Sequence, residues 1–159
     1  MGLEVSAFGR VKPMGCSPDA TCPDSHWWIK PPPGFPRSLD GLRKGCYNVS
    51  GKHRSFFLGY SGYDDWRRDL SLMAHGIEPE VIWRRPAAYR RKAFVELIYF
   101  SDNGGAIGPI RSRKLAEDFD EHLAAARRYE KIECGFIEVY RDFRKAFRIG
   151  AGQGVVLFH

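Results

Sequence analysis

The run at residues 59–68, Gly-Tyr-Ser-Gly-Tyr-Asp-Asp-Trp-Arg-Arg, combines side chains that could bind a phosphorylated ligand. It joins a predicted strand to a predicted helix, where free backbone N–H groups and the helix dipole favour an anion. Tyr60 could stack on a base, Ser61 stands at the helix start, and Arg67 could reach a phosphate. The same run also fits a plain strand-to-helix joint, in which Ser61 caps the helix and two aspartates complement its positive end. Both interpretations remain open from the sequence alone.

A second polar run, Ser-Asp-Asn-Gly-Gly at residues 101–105, could offer backbone amides to a ligand. Its two glycines tolerate positive φ, and Asp102 could bind a ribose hydroxyl or orient an arginine. The alternative is a tight turn between two helices. The sequence shows neither a Walker A pattern nor a Gly-x-Gly-x-x-Gly run after a strand, so no standard phosphate-binding loop is predicted.

The positive charge of the chain lies mostly in its second half. The 159 residues carry a formal net charge of +6, and residues 81–159 contribute +5 of it. Arg90, Arg111 and Arg113 lie in this half and could meet a phosphate, since guanidinium groups bind oxyanions through paired hydrogen bonds. Acidic residues alternate with the arginines at helical spacing, which argues against a nucleic-acid interface. The excess charge also fits an ordinary solvated surface. If it marks a partner, the pattern favours a small anionic ligand over a nucleic acid.

Cysteine and histidine spacing gives little support for a metal site. Cys16, Cys22 and His26 follow a C-x5-C-x3-H spacing that is not a common zinc pattern, and Cys46 lies further along the chain. The sequence shows no nucleophile elbow and no His-Glu-x-x-His motif. We therefore predict no metal, no cofactor and no catalytic residue, and the sequence favours a binding protein over an enzyme.

Hydropathy predicts no membrane segment. The longest apolar stretch, residues 93–100, spans 8 residues and includes Glu96, whereas a transmembrane helix needs about 20. The first residues lack the charged and apolar regions of a signal peptide. We therefore expect a cytoplasmic protein whose cysteines stay reduced.

Hydrophobic periodicity predicts the framework that must position these side chains. It indicates an α+β fold over a single domain, residues 1–159, with helices covering one face of a small antiparallel sheet. Strands are predicted near residues 2–8, 45–49 and 54–58, with 155–158 as a candidate fourth strand. A glycine-containing turn at 50–53 would join the second and third strands as a hairpin. Helices are predicted at residues 61–75, 87–100, 112–130 and 133–149.

Caps and prolines set the predicted boundaries of these elements. Gly76 should end the first helix, and Ser112 should cap the third. Residues 12–40 hold seven of the ten prolines, which excludes a helix or a central strand there and predicts a long loop. The adjacent Trp27 and Trp28 need something to pack against, which argues against a fully disordered loop.

Several blocks of the chain resemble a family of small, uncharacterised bacterial and phage proteins. They comprise residues 1–5, 39–42, 59–67, 94–107 and 156–159. Two of the motifs, Gly-x-Ser-Gly-Tyr with its Trp-Arg and the Ser-Asp-x-x-Gly loop, are also similar to Thoeris anti-defence proteins. This resemblance implies a sheet followed by helices, and a protein that holds a cyclic ADP-ribose-type signal without cleaving it.

Two functional hypotheses follow. The leading one is a non-catalytic protein that binds a small anionic ligand, such as a nucleotide or a cyclic nucleotide signal. Seven residues would form the ligand site: Tyr60, Ser61, Arg67, Arg90, Asp102, Arg111 and Arg113. The alternative is a protein–protein interaction or inhibitor module of bacterial or prophage origin, with the adjacent tryptophans and the arginines as anchors. A basic cavity would favour the first hypothesis.

Overall fold

The computed structural model describes residues 2–15, 22–23, 26–100, 104–130 and 135–159. Within these residues the chain forms five strands and seven α-helices, which confirms the predicted α+β class. The strands are β1 (Gly2–Pro13), β2 (Trp27–Ile29), β3 (Gly45–Gly59), β4 (Gly105–Ile107) and β5 (Val155–Phe158). The helices are α1 (Tyr60–His75), α2 (Pro79–Arg84), α3 (Pro86–Tyr89), α4 (Val95–Tyr99), α5 (Pro109–Glu121), α6 (Leu123–Tyr129) and α7 (Phe136–Gly150).

The sheet is antiparallel, with the strand order β2-β3-β1-β5-β4. β1 pairs with β3 along its length, from Gly2 opposite Gly59 to Pro13 opposite Tyr47. The predicted strand at residues 2–8 is therefore confirmed and extends further. The candidate strand at 155–158 is also confirmed, because β5 pairs with β1 on one side and with β4 on the other.

The predicted hairpin at residues 45–58 is wrong, because β3 is one continuous strand of 15 residues. Gly51 has a φ of +82°, and the register with β1 shifts between Phe8 and Arg10. This geometry is a β-bulge, in which Gly51 and Lys52 together stand opposite Gly9. The glycine that predicted a turn therefore bends the strand and does not reverse the chain.

The proline-rich segment at residues 12–40 holds an edge strand and a short helix. β2 pairs with residues 45–47 of β3 and lies at the sheet edge, where neighbouring prolines are tolerated. A 3-10 helix, Pro36–Leu39, follows. Ile29 and Leu39 pack with Val155 and Leu157 of β5 in a small second core. The segment thereby covers part of the sheet face opposite the main core.

The first predicted helix, residues 61–75, is confirmed as α1 and begins one residue earlier. Its predicted cap is wrong, because Gly59 is the N-cap residue and Ser61 lies exposed within the first turn. Gly76 ends the helix as predicted, with a left-handed φ of +67°. Its N–H donates a hydrogen bond to the Leu72 carbonyl at 2.8 Å.

The predicted helix at residues 87–100 is wrong, because two short helices, α3 and α4, replace it. Phe94 precedes α4 with a φ of +58°. A left-handed conformation costs an ordinary residue about 1–2 kcal/mol. Asp118 of α5 offsets this cost, since its Oδ2 accepts a hydrogen bond from the Phe94 N–H at 2.9 Å. The buried Phe94 ring also packs edge-on against Phe119 at 4.9 Å.

The third predicted helix, residues 112–130, begins earlier and is divided in two. Gly108 is the N-cap of α5, so Ser112 lies inside the helix and is not its cap, which corrects the prediction. His122 separates α5 from α6. The fourth predicted helix, 133–149, corresponds to α7, and its first residues, 133 and 134, lie outside the described residues.

The main core lies between the sheet and the helices. α7 contributes Tyr140, Phe143 and Phe147, which lie three or four residues apart on one helix face and are fully buried. The Phe143 ring lies 4.6 Å from the ring of Trp66 in α1, and Val5 of β1 belongs to the same cluster. Aromatic packing therefore fixes α1 and α7 on one face of the sheet.

The lengths of the helices and the positions of potential metal ligands bear on membrane and metal binding. Among the residues that the structure describes, no helix is long and apolar enough to cross a membrane. In the same part of the chain, no three His, Cys, Asp or Glu side chains come together as a candidate metal site. Cys16 of the sequence pattern lies outside the described residues, and Cys46 is buried in β3.

We predict that Gly51→Ala lowers the free energy of unfolding by about 1–2 kcal/mol, because alanine disfavours the positive φ that the bulge requires. Gly62→Ala is the matched control. Gly62 lies in α1 with open space at its Cβ position, so alanine should raise stability by up to about 1 kcal/mol. Urea unfolding followed by circular dichroism measures both variants, and equal effects would contradict the bulge.

Candidate functional site

A cavity of 220 Å³ lies where the 3-10 helix, α3, α4 and α5 meet. We call it the arginine cavity, after three arginines in its wall. Its polar lining consists of Arg37, Arg90, Arg111 and Glu96. The remaining lining residues are apolar or aromatic: Gly34, Phe35, Pro86, Val95 and Tyr99. The cavity therefore presents cations beside an apolar wall.

Helix boundaries bring the three arginines together. Pro36 starts the 3-10 helix that carries Arg37, and Arg90 directly follows the last residue of α3. Pro109 starts α5 and places Arg111 in its first turn. Proline fixes φ at a first helical position, so these prolines help to set where two of the three helices begin. Segments that are distant in the sequence thus converge on one cavity.

A buried carboxylate stabilises the wall of the arginine cavity. Glu96 of α4 is only 1% exposed. Its Oε1 accepts a hydrogen bond from Arg111 Nη1 at 3.2 Å, and its Oε2 accepts one from Lys114 Nζ at 2.7 Å. Without such partners a buried carboxylate would cost several kcal/mol. Glu96 therefore holds α4 against α5.

The two cations extend this network to neighbouring segments. Arg111 also donates to Asp40 Oδ2, through Nε at 3.0 Å and Nη2 at 2.8 Å. The ammonium group of Lys114 lies 2.7 Å from the Lys92 carbonyl oxygen and 2.8 Å from Asp118 Oδ2. Each of its three donors thus has an acceptor. The network ties the residue after the 3-10 helix, the chain before α4, and α5 into one unit.

Arg37 and Arg90 carry positive charges that remain available to a ligand. Both residues are exposed, and neither forms an ion pair within the described part of the chain. Arg111, by contrast, is already bound to Asp40 and Glu96. The described lining residues therefore comprise three guanidinium groups and one carboxylate, and this excess of positive charge suits an oxyanion.

The apolar wall of the cavity is held in place by hydrogen bonds and burial. The Tyr99 hydroxyl donates to the backbone oxygen of Trp83 at 3.3 Å, which fixes its ring. Burial raises the pKa of Tyr99, so its hydroxyl stays neutral. With Phe35 and Pro86, this ring offers a surface on which the flat face of a ligand can pack.

Two of the seven predicted ligand residues, Arg90 and Arg111, meet at the arginine cavity. Arg113 is exposed on α5, and its Nη2 lies 3.5 Å from a backbone oxygen just after α7. Ser61 is exposed in the first turn of α1. Neither of these two residues lines the arginine cavity, so the structure divides the predicted set.

Arg67 lies away from the arginine cavity and makes contacts within the fold. Its Nη1 donates to the Phe100 carbonyl at 2.7 Å, and its Nη2 donates to Asp64 Oδ1 at 2.6 Å. The spacing of three residues between Asp64 and Arg67 is a sequence signal for such a pair. Tyr60 begins α1, and Asp102 lies outside the described residues.

Two charged residues of the cavity, Arg37 and Glu96, are not among the ligand residues predicted from the sequence. Arg37 lies in the proline-rich segment, where a loop prediction gives no position to any side chain. Glu96 was visible as one charge within the apolar stretch 93–100. Because a glutamate is rarely buried unless it is paired, that position is a sequence signal for a buried ion pair.

No protein-family model matches the chain, no curated protein matches its sequence, and no solved structure matches its fold. The similarity to Thoeris anti-defence proteins therefore stays a prediction. Of the two motifs that carry it, the run at 59–67 lies at the start of α1, and residues 101–103 of the other lie outside the described residues. We base the functional proposal on the arginine cavity.

We predict that Glu96→Gln lowers the free energy of unfolding by about 3 kcal/mol, because Arg111 and Lys114 lose their shared counter-charge. Glu117→Gln is the control, since Glu117 is an exposed residue of the neighbouring helix α5. This control should change stability by less than about 0.5 kcal/mol. Chemical denaturation of both variants measures the difference, and a cost no larger than that of the control would show that the network does not stabilise the fold.

Proposed function

We propose that the protein binds a small anionic ligand in the arginine cavity. One observation carries this proposal. Arg37 and Arg90, which have no carboxylate partner among the described residues, line the same cavity as Arg111. Guanidinium groups that converge on a concave wall form charge-assisted, paired hydrogen bonds with phosphate and carboxylate oxygens. Such a ligand would supply the negative counter-charge for Arg37 and Arg90.

The size of the cavity limits the ligand. Its volume of 220 Å³ lies below the range of about 300–1,000 Å³ that is typical of sites for drug-sized molecules. A phosphate or carboxylate attached to one flat ring suits this volume. The ring would pack against Phe35, Pro86 and Tyr99, with the oxyanion directed toward the guanidinium groups. A mononucleotide is the largest nucleotide that we propose for this cavity alone.

We propose that the protein binds this ligand without converting it. Glu96 is the one carboxylate among the described residues that line the cavity, and both of its oxygens accept hydrogen bonds from cations. It therefore suits the role of a fixed counter-ion better than that of an acid or base. A protein that holds its ligand unchanged also agrees with what the resemblance to Thoeris anti-defence proteins implies.

The alternative function, a protein–protein interaction module, has weaker support. It would use Trp27 and Trp28 as anchors. Trp28 is 37% exposed, but Trp27 is half-buried and packs against the rings of Phe8 and His159. A cavity with positive charge at its wall favours a small ligand over a flat protein surface.

Isothermal titration calorimetry with phenyl phosphate tests the proposal. Phenol and inorganic phosphate separate the contributions of the ring and the anion, and AMP tests a nucleotide. We expect phenyl phosphate to bind more tightly than either fragment. We also expect it to raise the melting temperature, since a ligand at a hundredfold excess over its Kd adds about 2.7 kcal/mol to stability.

Arg90→Gln should weaken phenyl phosphate binding by about tenfold or more, because a hydrogen bond to a charged group contributes about 1.5–3 kcal/mol. Arg37→Gln should have a similar effect. Arg91→Gln is the matched control, an exposed neighbour that does not line the cavity. The proposal fails if none of the anions binds, or if the control loses as much affinity as Arg90→Gln.

A further inference from the structure

A second cavity, of 210 Å³, lies beside β2 and β5. We call it the tryptophan cavity, because both adjacent tryptophans of the proline-rich segment line it. The last two glycines of the polar run at 101–105 also line it, so two motifs that the sequence analysis singled out meet here. The residues that matter for its chemistry are Trp27, Trp28, Lys30, Gly104, Gly105 and His159. None of them lines the arginine cavity.

Ring contacts fix the aromatic wall of the tryptophan cavity. The Trp27 ring lies 5.0 Å from the ring of His159, at an interplanar angle of 70°, and 5.7 Å from the ring of Phe8. His159 is itself held, since its Nε2 lies 3.0 Å from Oγ of the buried Ser6. A ligand would therefore meet an indole whose position is already set, which lowers the entropy cost of binding.

Two residues of the cavity wall, Gly104 and Gly105, contribute only backbone atoms. Gly105 has a φ of +136°, and a Cβ there would lie 2.8 Å from the backbone nitrogen of Pro32. Gly104 has a φ of +76°, and its Cβ would lie 3.3 Å from the Phe158 carbonyl oxygen. Both positions therefore require glycine. At each of them neighbouring protein atoms fill the space that a side chain would need, so this part of the cavity wall consists of main-chain atoms.

Two lysines place positive charge beside the tryptophan cavity. Lys30 lines it, and Lys44 Nζ lies 5.6 Å from the centre of the Trp28 ring. Among the described residues, no carboxylate side chain lines the cavity and neither lysine forms an ion pair. Indole faces attract cations, but two lysines repel a cationic ligand from this site.

We propose that the tryptophan cavity binds a planar aromatic ring that carries a negative charge, as in an aromatic carboxylate or an aromatic phosphate ester. The ring packs against the indoles and the glycine backbone, and Lys30 binds the anionic group. Trp28 keeps a large apolar surface exposed at the rim, where a ring would cover it. This assignment does not rest on the function proposed for the arginine cavity, because the two cavities share no lining residue.

Nuclear magnetic resonance of the indole N–H groups tests the assignment, because the chain has four tryptophans. Trp66 Nε1 donates to the Phe136 carbonyl at 3.3 Å, and Trp83 Nε1 donates to the Ile98 carbonyl at 2.9 Å. Both indoles lie outside the tryptophan cavity. Trp66 serves as the internal reference, whereas Trp83, whose backbone oxygen accepts a hydrogen bond from Tyr99, reports binding in the arginine cavity. Benzoate and phenyl phosphate should shift the Trp27 and Trp28 signals in a saturable manner.

Three further probes separate the contribution of the benzoate ring from that of its charge. Benzyl alcohol keeps the ring without the charge, acetate keeps the charge without the ring, and benzylammonium reverses the charge. We expect benzyl alcohol to bind more weakly than benzoate, and acetate and benzylammonium to leave Trp27 and Trp28 unshifted. Shifts of equal size with benzylammonium, or no shift with either aromatic anion, would overturn the assignment.

Variants separate this cavity from the arginine cavity. Lys30→Gln should weaken benzoate binding by about two- to fivefold, as expected for one exposed ion pair. Lys12→Gln, an exposed lysine of β1 that does not line the cavity, should leave the affinity unchanged. Arg90→Gln should also leave the Trp27 and Trp28 shifts unchanged, even if it abolishes binding in the arginine cavity. Loss of these shifts in Arg90→Gln would overturn the assignment of a separate site.

Discussion

The ion pairs of Glu96 are the interaction on which the arrangement of α4, α5 and the chain between them depends. Glu96 is buried, so its charge is stable there only because Arg111 and Lys114 reach it from α5. The same Lys114 contacts Asp118, which accepts the hydrogen bond that stabilises the left-handed turn before α4. One carboxylate thus links the backbone turn, the helix packing and the wall of the arginine cavity.

The proline-rich segment depends on a second constraint, the packing of Ile29 and Leu39 against β5 in the second core. Because Ile29 and Leu39 are both held, the chain between them, which contributes to both cavities, is fixed at each end. Lys30 lines the tryptophan cavity, and Phe35 and Arg37 line the arginine cavity. The three prolines between them have fixed φ and link the two cavities through a stiff stretch of chain. The segment therefore helps to form the walls of both cavities.

The spacing of apolar residues predicted the helices that form from local sequence alone. The helical periodicity of α1 and α7 identified both helices, because their apolar residues face one core. Gly51 predicted a turn, but the long antiparallel pairing of β1 with β3 accommodates it as a bulge. Phe94 takes a left-handed conformation because Asp118, which lies in a different helix, accepts a hydrogen bond from its N–H. For the site, charge type identified Arg90 and Arg111. The third arginine, Arg37, could not be predicted from the sequence. Its position in the cavity depends on how the proline-rich segment packs against distant parts of the chain.

A crystal structure of the protein with phenyl phosphate tests the central claim most directly. We predict that the phosphate oxygens contact the guanidinium groups of Arg37 and Arg90, with the ring against Tyr99. Arg111 should keep its contact with Glu96, because the buried carboxylate needs it. A complex in which the arginine cavity holds no phenyl phosphate, or in which Arg111 is separated from Glu96, would contradict this account of the cavity.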